Sequence, residues 1–171
     1  MHVFLTGPVQ IGKSTLLRAA LEQLQPARLG GFRTVSAQPE ADGSRPVYLH
    51  LAASDLPCCK DTCVGIRRPG CGITSFPDVF EAAGLDALRD AEQGSLILMD
   101  EVGRMERRAA RYSARIAGLL DGAVPILGVV QKKADTPLAD AIRHHPNVRL
   151  LEVSIENRDK LLPDILAALQ A

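Results

Sequence analysis

The sequence predicts an α/β fold built on a mostly parallel sheet, with an antiparallel hairpin at one edge. Apolar runs of strand length alternate with amphipathic helical patterns along the 171 residues. A glycine-rich loop joins the first strand to the first helix, and a later apolar strand ends in two carboxylates. No internal repeat and no linker divides the chain, so we expect a single domain over residues 1–171.

The first predicted elements are a strand and a helix within residues 2–25. Residues 3–5 are short and apolar, as in a buried strand, and the helix that follows has an apolar face that ends before Pro26. Residues 7–14 between them match the phosphate-binding pattern G-x-x-x-x-G-K-[ST]. Because strand, loop and helix occur in the required order, a chance match in a glycine-rich turn is the weaker interpretation.

In such a loop, backbone N–H groups and the helix N-terminus surround the phosphates of a nucleotide. Lys13 supplies a positive charge to the β- and γ-phosphates, and the hydroxyl of Ser14 coordinates Mg²⁺. We therefore expect a nucleoside di- or triphosphate to bind at Gly7, Pro8, Val9, Gln10, Ile11, Gly12, Lys13, Ser14 and Thr15.

The middle of the chain predicts the antiparallel edge. Residues 31–35 and 47–51 are strand candidates, and the segment between them is a turn with Pro, Asp and Gly. Residues 52–75 are rich in Cys, Pro and Gly, and we expect them to be irregular. A helical spacing of apolar residues follows over residues 76–91.

The second half of the chain again alternates strands and helices. Residues 95–99 form a fully apolar run, typical of a strand covered on both faces. The other predicted elements are a basic amphipathic helix over 107–120, a strand over 124–130, a helix over 137–144, a strand over 148–153 and a closing helix over 161–169. Pro163 fits the last helix only within its first turn.

Asp100 and Glu101 directly follow the apolar run of residues 95–99. Open α/β sheets bind ligands at the carboxyl ends of their strands, so both carboxylates would face the phosphate-binding loop. Asp100 is then placed to hold Mg²⁺ opposite Ser14, and Glu101 to orient and deprotonate a water that attacks the γ-phosphate. An acidic pair that caps the strand or faces solvent is the alternative.

Arg104 lies three residues beyond Glu101. Its cation could reach the charge that develops on the transferred phosphoryl group, as an arginine finger supplied by the same chain. A surface arginine is the alternative, because further arginines follow at positions 107, 108 and 111.

All four cysteines fall within fourteen residues, as Cys58, Cys59, Cys63 and Cys71. A zinc site is one interpretation, although the spacing lacks the paired C-x₂-C pattern of zinc knuckles. Reduced thiols that pack an irregular loop are the second interpretation, and disulfides formed during purification are the third.

The charge balance argues against nucleic acid or an anionic membrane as the main partner. Lysine plus arginine and aspartate plus glutamate both number 20, so the formal net charge is zero. No apolar run approaches the roughly 20 residues that span a bilayer, and the first strand begins too early to leave room for a signal peptide. We therefore expect a cytoplasmic protein whose cysteines stay reduced.

Several segments together resemble the cancer-related nucleoside-triphosphatase family of small P-loop NTPases. The less specific segments are residues 2–8 with 12–14, 31–34 and 126–128, and the most specific are Asp-Glu-Val-Gly-Arg-Met-Glu at 100–106 and the Glu-Asn-Arg segment at 156–165. The resemblance covers nearly the whole chain. It implies a three-layer αβα fold and slow, Mg²⁺-dependent hydrolysis of several nucleoside triphosphates, ATP and GTP among them, with loose base selectivity.

Carried over by position, the resemblance assigns residues 7–14 to the triphosphate, Asp100 to the metal and Glu101 to the water. Asn157 and Arg158 follow the last strand, and they line the base or ribose pocket in this interpretation. A cap on the final helix is the alternative role for this pair.

Two positions depart from the family pattern. Arg104 stands where the family usually has lysine, and a planar guanidinium does not replace a compact ammonium in geometry. Gln10 stands where the family has glycine, a residue that adopts a positive φ without steric cost. We expect strain or a reshaped loop at Gln10, with weaker nucleotide binding or a more mobile loop.

Two other functions stay open at this stage. A P-loop kinase would transfer the γ-phosphoryl group to a small molecule or a nucleic-acid end, and Arg67, Arg68 and the 104–115 stretch could supply arginines for its lid. A nucleotide-dependent binding module would use hydrolysis only to reset a partner-binding state. The sequence has no base-reading motif such as N-K-x-D, and it leaves the oligomeric state open.

Overall fold

An eight-stranded sheet organises the fold in the computed structural model, which describes residues 1–170. The strands are β1 (His2–Thr6), β2 (Leu29–Ser36), β3 (Arg45–Leu51), β4 (Cys63–Arg68), β5 (Gly72–Ser75), β6 (Leu96–Val102), β7 (Ile126–Val130) and β8 (Val148–Glu152). Their order across the sheet is β5-β4-β3-β2-β6-β7-β1-β8.

The centre and one side of the sheet are parallel. Strands β2, β6, β7, β1 and β8 pair with their neighbours in parallel, whereas β3, β4 and β5 extend the other side with antiparallel pairing. The predicted mostly parallel sheet with an antiparallel edge is confirmed, and the predicted hairpin is β2 with β3.

The prediction of an irregular segment over residues 52–75 is wrong for its second half. Strands β4 and β5 extend the hairpin there. Neither carries a clear alternation of apolar and polar residues: β4 ends in two exposed arginines, and three of the four residues of β5 are exposed. Backbone pairing of β4 to β3 and of β5 to β4 makes these residues strands, and the local sequence pattern gives no sign of such pairing.

Helices cover both faces of the sheet. They are α1 (Lys13–Leu24), α2 (Pro77–Val79), α3 (Leu85–Ala87), α4 (Ala110–Leu120), α5 (Pro137–His144) and α6 (Leu162–Gln170), with a π-helical turn Phe80–Gly84 between α2 and α3 and a 3₁₀ turn at Ala91–Gln93. Helices α1 and α6 share one apolar core, and α4, α5 and the 77–91 segment share the other. The three-layer αβα fold is therefore confirmed.

Alternation along the central strands assigns each side chain to one face. In β1, Val3 and Leu5 pack in the core under α1 and α6, whereas Phe4 packs under α4 and α5. In β6, Leu98 lies on the α1 face and Met99 on the α4 face. The next residue of β6, Asp100, therefore points to the face that α1 covers.

Several element ends differ from prediction by a few residues. Strand β6 runs to Val102, so Asp100 and Glu101 belong to the strand instead of following it, and α4 begins at Ala110 instead of residue 107. Pro163 lies in the first turn of α6, as its missing N–H requires. Among the described residues, no helix combines the length and the apolar character needed to cross a membrane.

Candidate active site

The loop after β1 has the backbone conformation that its glycines permit. Gly7 has φ 143° and Gly12 has φ 111°, both in the region that favours glycine. A β-carbon at Gly7 would lie 2.6 Å from the backbone oxygen of Val153, so a larger residue would push the loop off the chain that follows β8. These two glycines let residues 7–12 turn tightly between strand and helix.

Gln10 adopts φ 62°, a left-handed conformation at a non-glycine residue. The expectation that this loop position requires a positive φ is thereby confirmed. A side chain in this conformation costs roughly 1–2 kcal/mol, because its β-carbon approaches the carbonyl oxygen. Gln10 is exposed, and this strain has to be maintained by the surrounding loop.

Replacing Gln10 by glycine is expected to tighten triphosphate binding by about fivefold, because the loop then holds its binding conformation at roughly 1 kcal/mol less cost. Titration of a fluorescent nucleotide and steady-state phosphate release measure the effect. Val9→Ala is the matched control, since Val9 is an exposed side chain of the same loop. Unchanged Kd and turnover in Gln10→Gly would refute the idea that Gln10 weakens the loop.

The N-terminus of α1 is open to an anion. Its N-cap is Gly12, no side chain caps it, and its first turn has no acidic residue. The free N–H groups and the helix dipole therefore favour a negative group at this point. Ser14 and Thr15 are exposed in the same turn, where their hydroxyls can reach a ligand.

Lys13 is the first residue of α1, and its side chain folds back onto the loop. It is buried, and its Nζ donates hydrogen bonds to the backbone oxygens of Gly7, at 3.1 Å, and Pro8, at 2.6 Å. Burial lowers the pKa of Lys13, while the nearby carboxylates of Glu101 and Asp100 raise it. The ammonium group therefore lies on the phosphate loop, within electrostatic reach of the two carboxylates of β6.

Asp100 is a half-buried carboxyl group next to Lys13 and Glu101. Burial and the charge of Glu101 raise its pKa to about 6, although Lys13 and Arg33 act in the opposite direction. Its negative charge is thus incompletely compensated, and a divalent cation would compensate it. A carboxylate with the hydroxyl of Ser14 is the oxygen donor set that Mg²⁺ prefers, so these residues fit the metal.

Glu101 receives a hydrogen bond from Gln131. The side-chain Nε2 of Gln131 donates to Oε1 of Glu101 at 2.5 Å, and the backbone N–H of Gln131 donates to Val102 at the end of β6. A β-carbon at Gly103 would lie 2.1 Å from the Gln131 side chain, so glycine at 103 leaves room for this contact. The second carboxylate oxygen of Glu101 is left for another partner.

Glu106 fastens the turn that follows β6. Its buried carboxylate accepts a hydrogen bond from the backbone N–H of Gly103, and the hydroxyl of Thr136 donates to the backbone oxygen of Gly103 at 3.3 Å. Burial raises the pKa of Glu106 to about 7. Glu106 therefore keeps Gly103 in place, and with it the space that Gln131 occupies beside Glu101.

Glu106→Gln is expected to flatten the pH dependence of folding stability. A carboxyl whose pKa rises on folding contributes stability below about pH 4.5, and this contribution is lost as the pH rises through about 7. At pH 8 the variant should be more stable than the wild type by up to about 3 kcal/mol, since each pKa unit corresponds to 1.36 kcal/mol. Urea unfolding at pH 5 and pH 8 measures the free energy of unfolding of both proteins. An equal change between the two pH values in the variant and the wild type would contradict the prediction.

Arg104 is turned toward the loop after β7. Its guanidinium donates to the backbone oxygen of Lys133 and lies 3.4 Å from a carboxylate oxygen of Asp135, with about half of the side chain exposed. The structure thus places Arg104 in a surface ion pair beside the site, whereas Lys13, Asp100 and Glu101 come together.

Arg158 and Asn157 differ in their surroundings. A β-carbon at Gly12 would lie 3.8 Å from Cδ of Arg158, so this exposed side chain lies against the phosphate loop. Asn157 instead holds its own loop: its Oδ1 accepts from the N–H of Ser154, and its Nδ2 donates to the backbone oxygen of Glu152. The cap that Asn157 forms is on this loop, five residues before α6 begins.

The four cysteines do not form the zinc site that one interpretation of the sequence suggested. Among residues 1–170, no three His, Cys, Asp or Glu side chains are placed together to hold a metal ion. Cys63 is buried at the start of β4 and its thiol faces the backbone oxygen of Gly65, whereas Cys71 lies in the turn beyond the far end of β4, roughly 17 Å along the strand. All four thiols are free.

The family of this chain follows from its match to known sequences. The sequence model described as NTPase matches residues 2–166. The chain belongs to this NTPase family. The cancer-related nucleoside-triphosphatase of Homo sapiens is 30% identical to it over 99% of this chain and 97% of the relative. The nucleoside-triphosphatase THEP1 of Thermotoga maritima is 26% identical over 99% of this chain and 96% of the relative.

Solved structures share the fold of this NTPase. The crystal structure of THEP1 from the hyperthermophile Aquifex aeolicus matches with a TM-score of 0.71 and 25% identity, and the match covers 100% of both chains. The solution structure of a human cancer-related nucleoside triphosphatase matches with a TM-score of 0.68 and 29% identity over 99% of this chain and 97% of the other. The resemblance drawn from the sequence motifs is confirmed.

Two residues at the site of this NTPase were not assigned a role from the sequence. Gln131 directly follows the predicted strand over 124–130, just as Asp100 follows the run over 95–99, so the same reasoning about strand ends would have found it. Arg33 lies in the 31–34 segment that carries part of the family resemblance, but its place beside Asp100 depends on the pairing of β2 with β6.

Proposed function

We propose that this chain hydrolyses nucleoside triphosphates to the diphosphate and inorganic phosphate, with Mg²⁺ and loose base selectivity. The observation that carries the proposal is the Glu101 carboxylate, which lies near Lys13 of the phosphate loop and receives a hydrogen bond from Gln131. A fixed carboxylate near the γ-phosphate can take a proton from water. Relatives that cover nearly the whole chain are named nucleoside-triphosphatases, which supports the same reaction.

The phosphate loop and α1 bind the triphosphate. The uncapped N–H groups at the start of α1 donate to the phosphate oxygens, and Lys13 exchanges its bonds to Gly7 and Pro8 for the β- and γ-phosphates. Ser14 and Asp100 would hold Mg²⁺, which neutralises phosphate charge when it is bound. Together these groups orient the γ-phosphorus toward the end of β6.

Glu101 then acts on the water. The free carboxylate oxygen accepts one proton of the water while the water oxygen attacks the γ-phosphorus. The bond between the γ-phosphorus and the bridging oxygen breaks, the diphosphate leaves with that oxygen, and the proton on Glu101 is later released to solvent. Gln131 holds the other carboxylate oxygen and so keeps Glu101 in one orientation.

Loose base selectivity is supported by the surroundings of the predicted base pocket. The amide of Asn157 could read a base edge, but both its ends are bonded to the backbone of Ser154 and Glu152. Arg158 carries charge next to the loop. Within residues 1–170 its one ion pair is with exposed Asp159 at 3.8 Å, so no neighbour fixes the orientation of its guanidinium toward a base. Such a pocket discriminates weakly among bases.

Phosphate release from ATP, GTP, CTP and UTP, each without any acceptor and with or without Mg²⁺, tests the proposal. We expect release that needs Mg²⁺ and kcat/KM values within about tenfold of one another, as for a pocket that reads no base edge. A kinase would instead give a new phosphorylated product in a mixture of small-molecule acceptors. Absence of phosphate release from all four nucleotides would overturn the proposed function.

We further propose that residues 1–171 act as one domain in the cytoplasm. A single sheet with strands from His2 to Glu152 supports the first statement. Four free thiols and a nucleoside triphosphate substrate suit a reducing, nucleotide-rich compartment, which supports the second.

A further inference from the structure

Arg33 lies on the same face of the sheet as the phosphate loop. Strand β2 pairs with β6 so that Phe32 stands opposite Met99 and Arg33 opposite Asp100. Phe32 and Met99 both pack in the core under α4 and α5. Because successive side chains alternate, Arg33 and Asp100 lie side by side on the opposite face, which α1 and its loop cover.

Among the described residues, the guanidinium of Arg33 has a single and exposed partner. Its Nη2 donates to Oδ1 of Asp55, whose side chain is 77% exposed, while that of Arg33 is 31% exposed. Asp55 belongs to the loop after β3, which buried His50 fastens by accepting a hydrogen bond from the N–H of Leu56 at 2.7 Å. Ion pairs with so much solvent access contribute little, so another anion can displace Asp55 from Arg33.

The position of Arg33 brings its charge to the site. Its Cα stands opposite that of Asp100 in the paired strands β2 and β6, so the guanidinium extends from the same edge of the sheet as the carboxylate that would hold Mg²⁺. A triphosphate on the phosphate loop brings several negative charges next to Asp100, and it outweighs the one exposed carboxylate of Asp55 in attracting the guanidinium. The planar fork of an arginine suits phosphate oxygens, which it binds in pairs.

Arg104, the cation expected from the sequence in this role, is held elsewhere. It is bonded to the backbone of Lys133 and lies next to Asp135, and Arg107 lies 3.8 Å from the same carboxylate. It lies in the turn after β6, where Glu106 and Thr136 hold the preceding residue, Gly103. Arg33, in contrast, extends from the middle of a sheet strand adjacent to Asp100.

We infer that Arg33 is a phosphate-facing catalytic residue that binds the γ-phosphoryl group, and that Asp55 competes with the triphosphate for it. The inference deepens the proposed hydrolysis and rests on it. As the water oxygen bonds to the γ-phosphorus and the bond to the bridging oxygen breaks, Arg33 donates hydrogen bonds to the non-bridging oxygens, where charge accumulates. The proton of the water still goes to Glu101.

Binding measurements test the contact with the γ-phosphate without any turnover. Kd is measured in Mg²⁺ for ADP and for the non-hydrolysable imido analogue of ATP. Arg33→Ala is expected to weaken the analogue about ten- to hundredfold, as for loss of a charge-assisted hydrogen bond, and to leave ADP within about twofold. Asp55→Asn is expected to tighten the analogue about two- to fivefold, since it removes the negative charge that competes with the phosphates for Arg33.

Opposite effects of the two variants separate this role from a structural one. If the Arg33–Asp55 pair only stabilised the loop, both substitutions would weaken nucleotide binding, and the Kd values of the analogue and of ADP would rise alike. Asp86 in α3 and Arg89 just after it form an exposed ion pair of the same two residue types and supply the control, as Arg89→Ala and Asp86→Asn. Thermal unfolding of each variant verifies that it is folded. Equal loss of both nucleotides in Arg33→Ala, or a weaker analogue in Asp55→Asn, would overturn the inference.

Phosphate release provides the second readout. Arg33→Ala is expected to lower kcat by at least about 10²-fold, and Arg33→Lys to recover analogue binding better than kcat, since an arginine finger contributes 10³ to 10⁵ through its fork of donors. A wild type that releases no phosphate defeats the proposed function while the two Kd values still report on Arg33. A wild type that turns over normally, with Arg33→Ala unchanged in kcat, defeats the inference alone.

Discussion

Glu101→Gln is expected to lower kcat for phosphate release about 10³-fold while changing the Kd of the triphosphate by less than about threefold. The amide keeps an oxygen that can accept the hydrogen bond from Gln131, so the shape of the site is retained. It has no basic oxygen to take a proton from water, and general-base catalysis contributes typically 10² to 10⁴. Steady-state phosphate release and nucleotide titration measure the two quantities separately.

The matched control for Glu101→Gln is Glu22→Gln, which makes the same chemical change at an exposed position of α1. The control should match the wild type in both measurements. If Glu101→Gln kept most of its kcat, the water would have to be activated by another group, and the role proposed for Glu101 would be wrong. A large increase in Kd with kcat retained would instead place Glu101 in nucleotide binding.

Lys13→Ala is expected to weaken triphosphate binding by more than about 10²-fold and to abolish measurable phosphate release. The ammonium lies against the loop carbonyls of Gly7 and Pro8, from which it can turn to the β- and γ-phosphates. Hydrogen bonds between charged groups are stronger than those between neutral groups, so the loss of this one has a large effect on binding. Titration of a fluorescent triphosphate measures the loss directly.

A stability measurement separates loss of binding from loss of the fold in Lys13→Ala. Burial lowers the pKa of Lys13, which means that the folded protein holds this charge at a cost, so Lys13→Ala should remain folded and unfold in a single cooperative thermal transition. Arg18→Ala removes an exposed cation of the same helix and is the control for net charge. Triphosphate affinity within threefold of the wild type in Lys13→Ala would contradict phosphate binding by this loop.

Elements with a strong local signal were predicted well from the sequence. The apolar runs that became β1, β6 and β7 lie between two layers of helices, so nearly every residue in them is apolar and the pattern is unambiguous. Strands β4 and β5 were missed because they lie at the antiparallel edge, where one strand is largely exposed. Their structure depends on backbone hydrogen bonds between β3 and β4 and between β4 and β5, which do not require a periodic pattern of side chains.

The residues of the candidate site also differ in whether a local sequence signal identifies them. Gly7, Gly12, Lys13 and Ser14 form one contiguous segment whose chemistry depends on local backbone geometry, so the spacing alone identifies it. Arg104 was expected at the phosphates from its closeness in sequence to Glu101, yet its guanidinium pairs with Asp135. Closeness along the chain does not decide where a long, flexible side chain points.

The sequence by itself predicted a phosphate-binding glycine loop, two carboxylates near the end of a buried strand, and the resemblance of the chain to the NTPases. These features are local, since each depends on residues within one turn or one strand. Tertiary structure alone decided that Gln131 holds Glu101, that Glu106 holds Gly103 and that Arg33 lies beside Asp100. Each of these contacts depends on strand register or on a turn that residues distant in the sequence hold in place. Register is set by the packing of the whole sheet, so a local sequence pattern does not specify it.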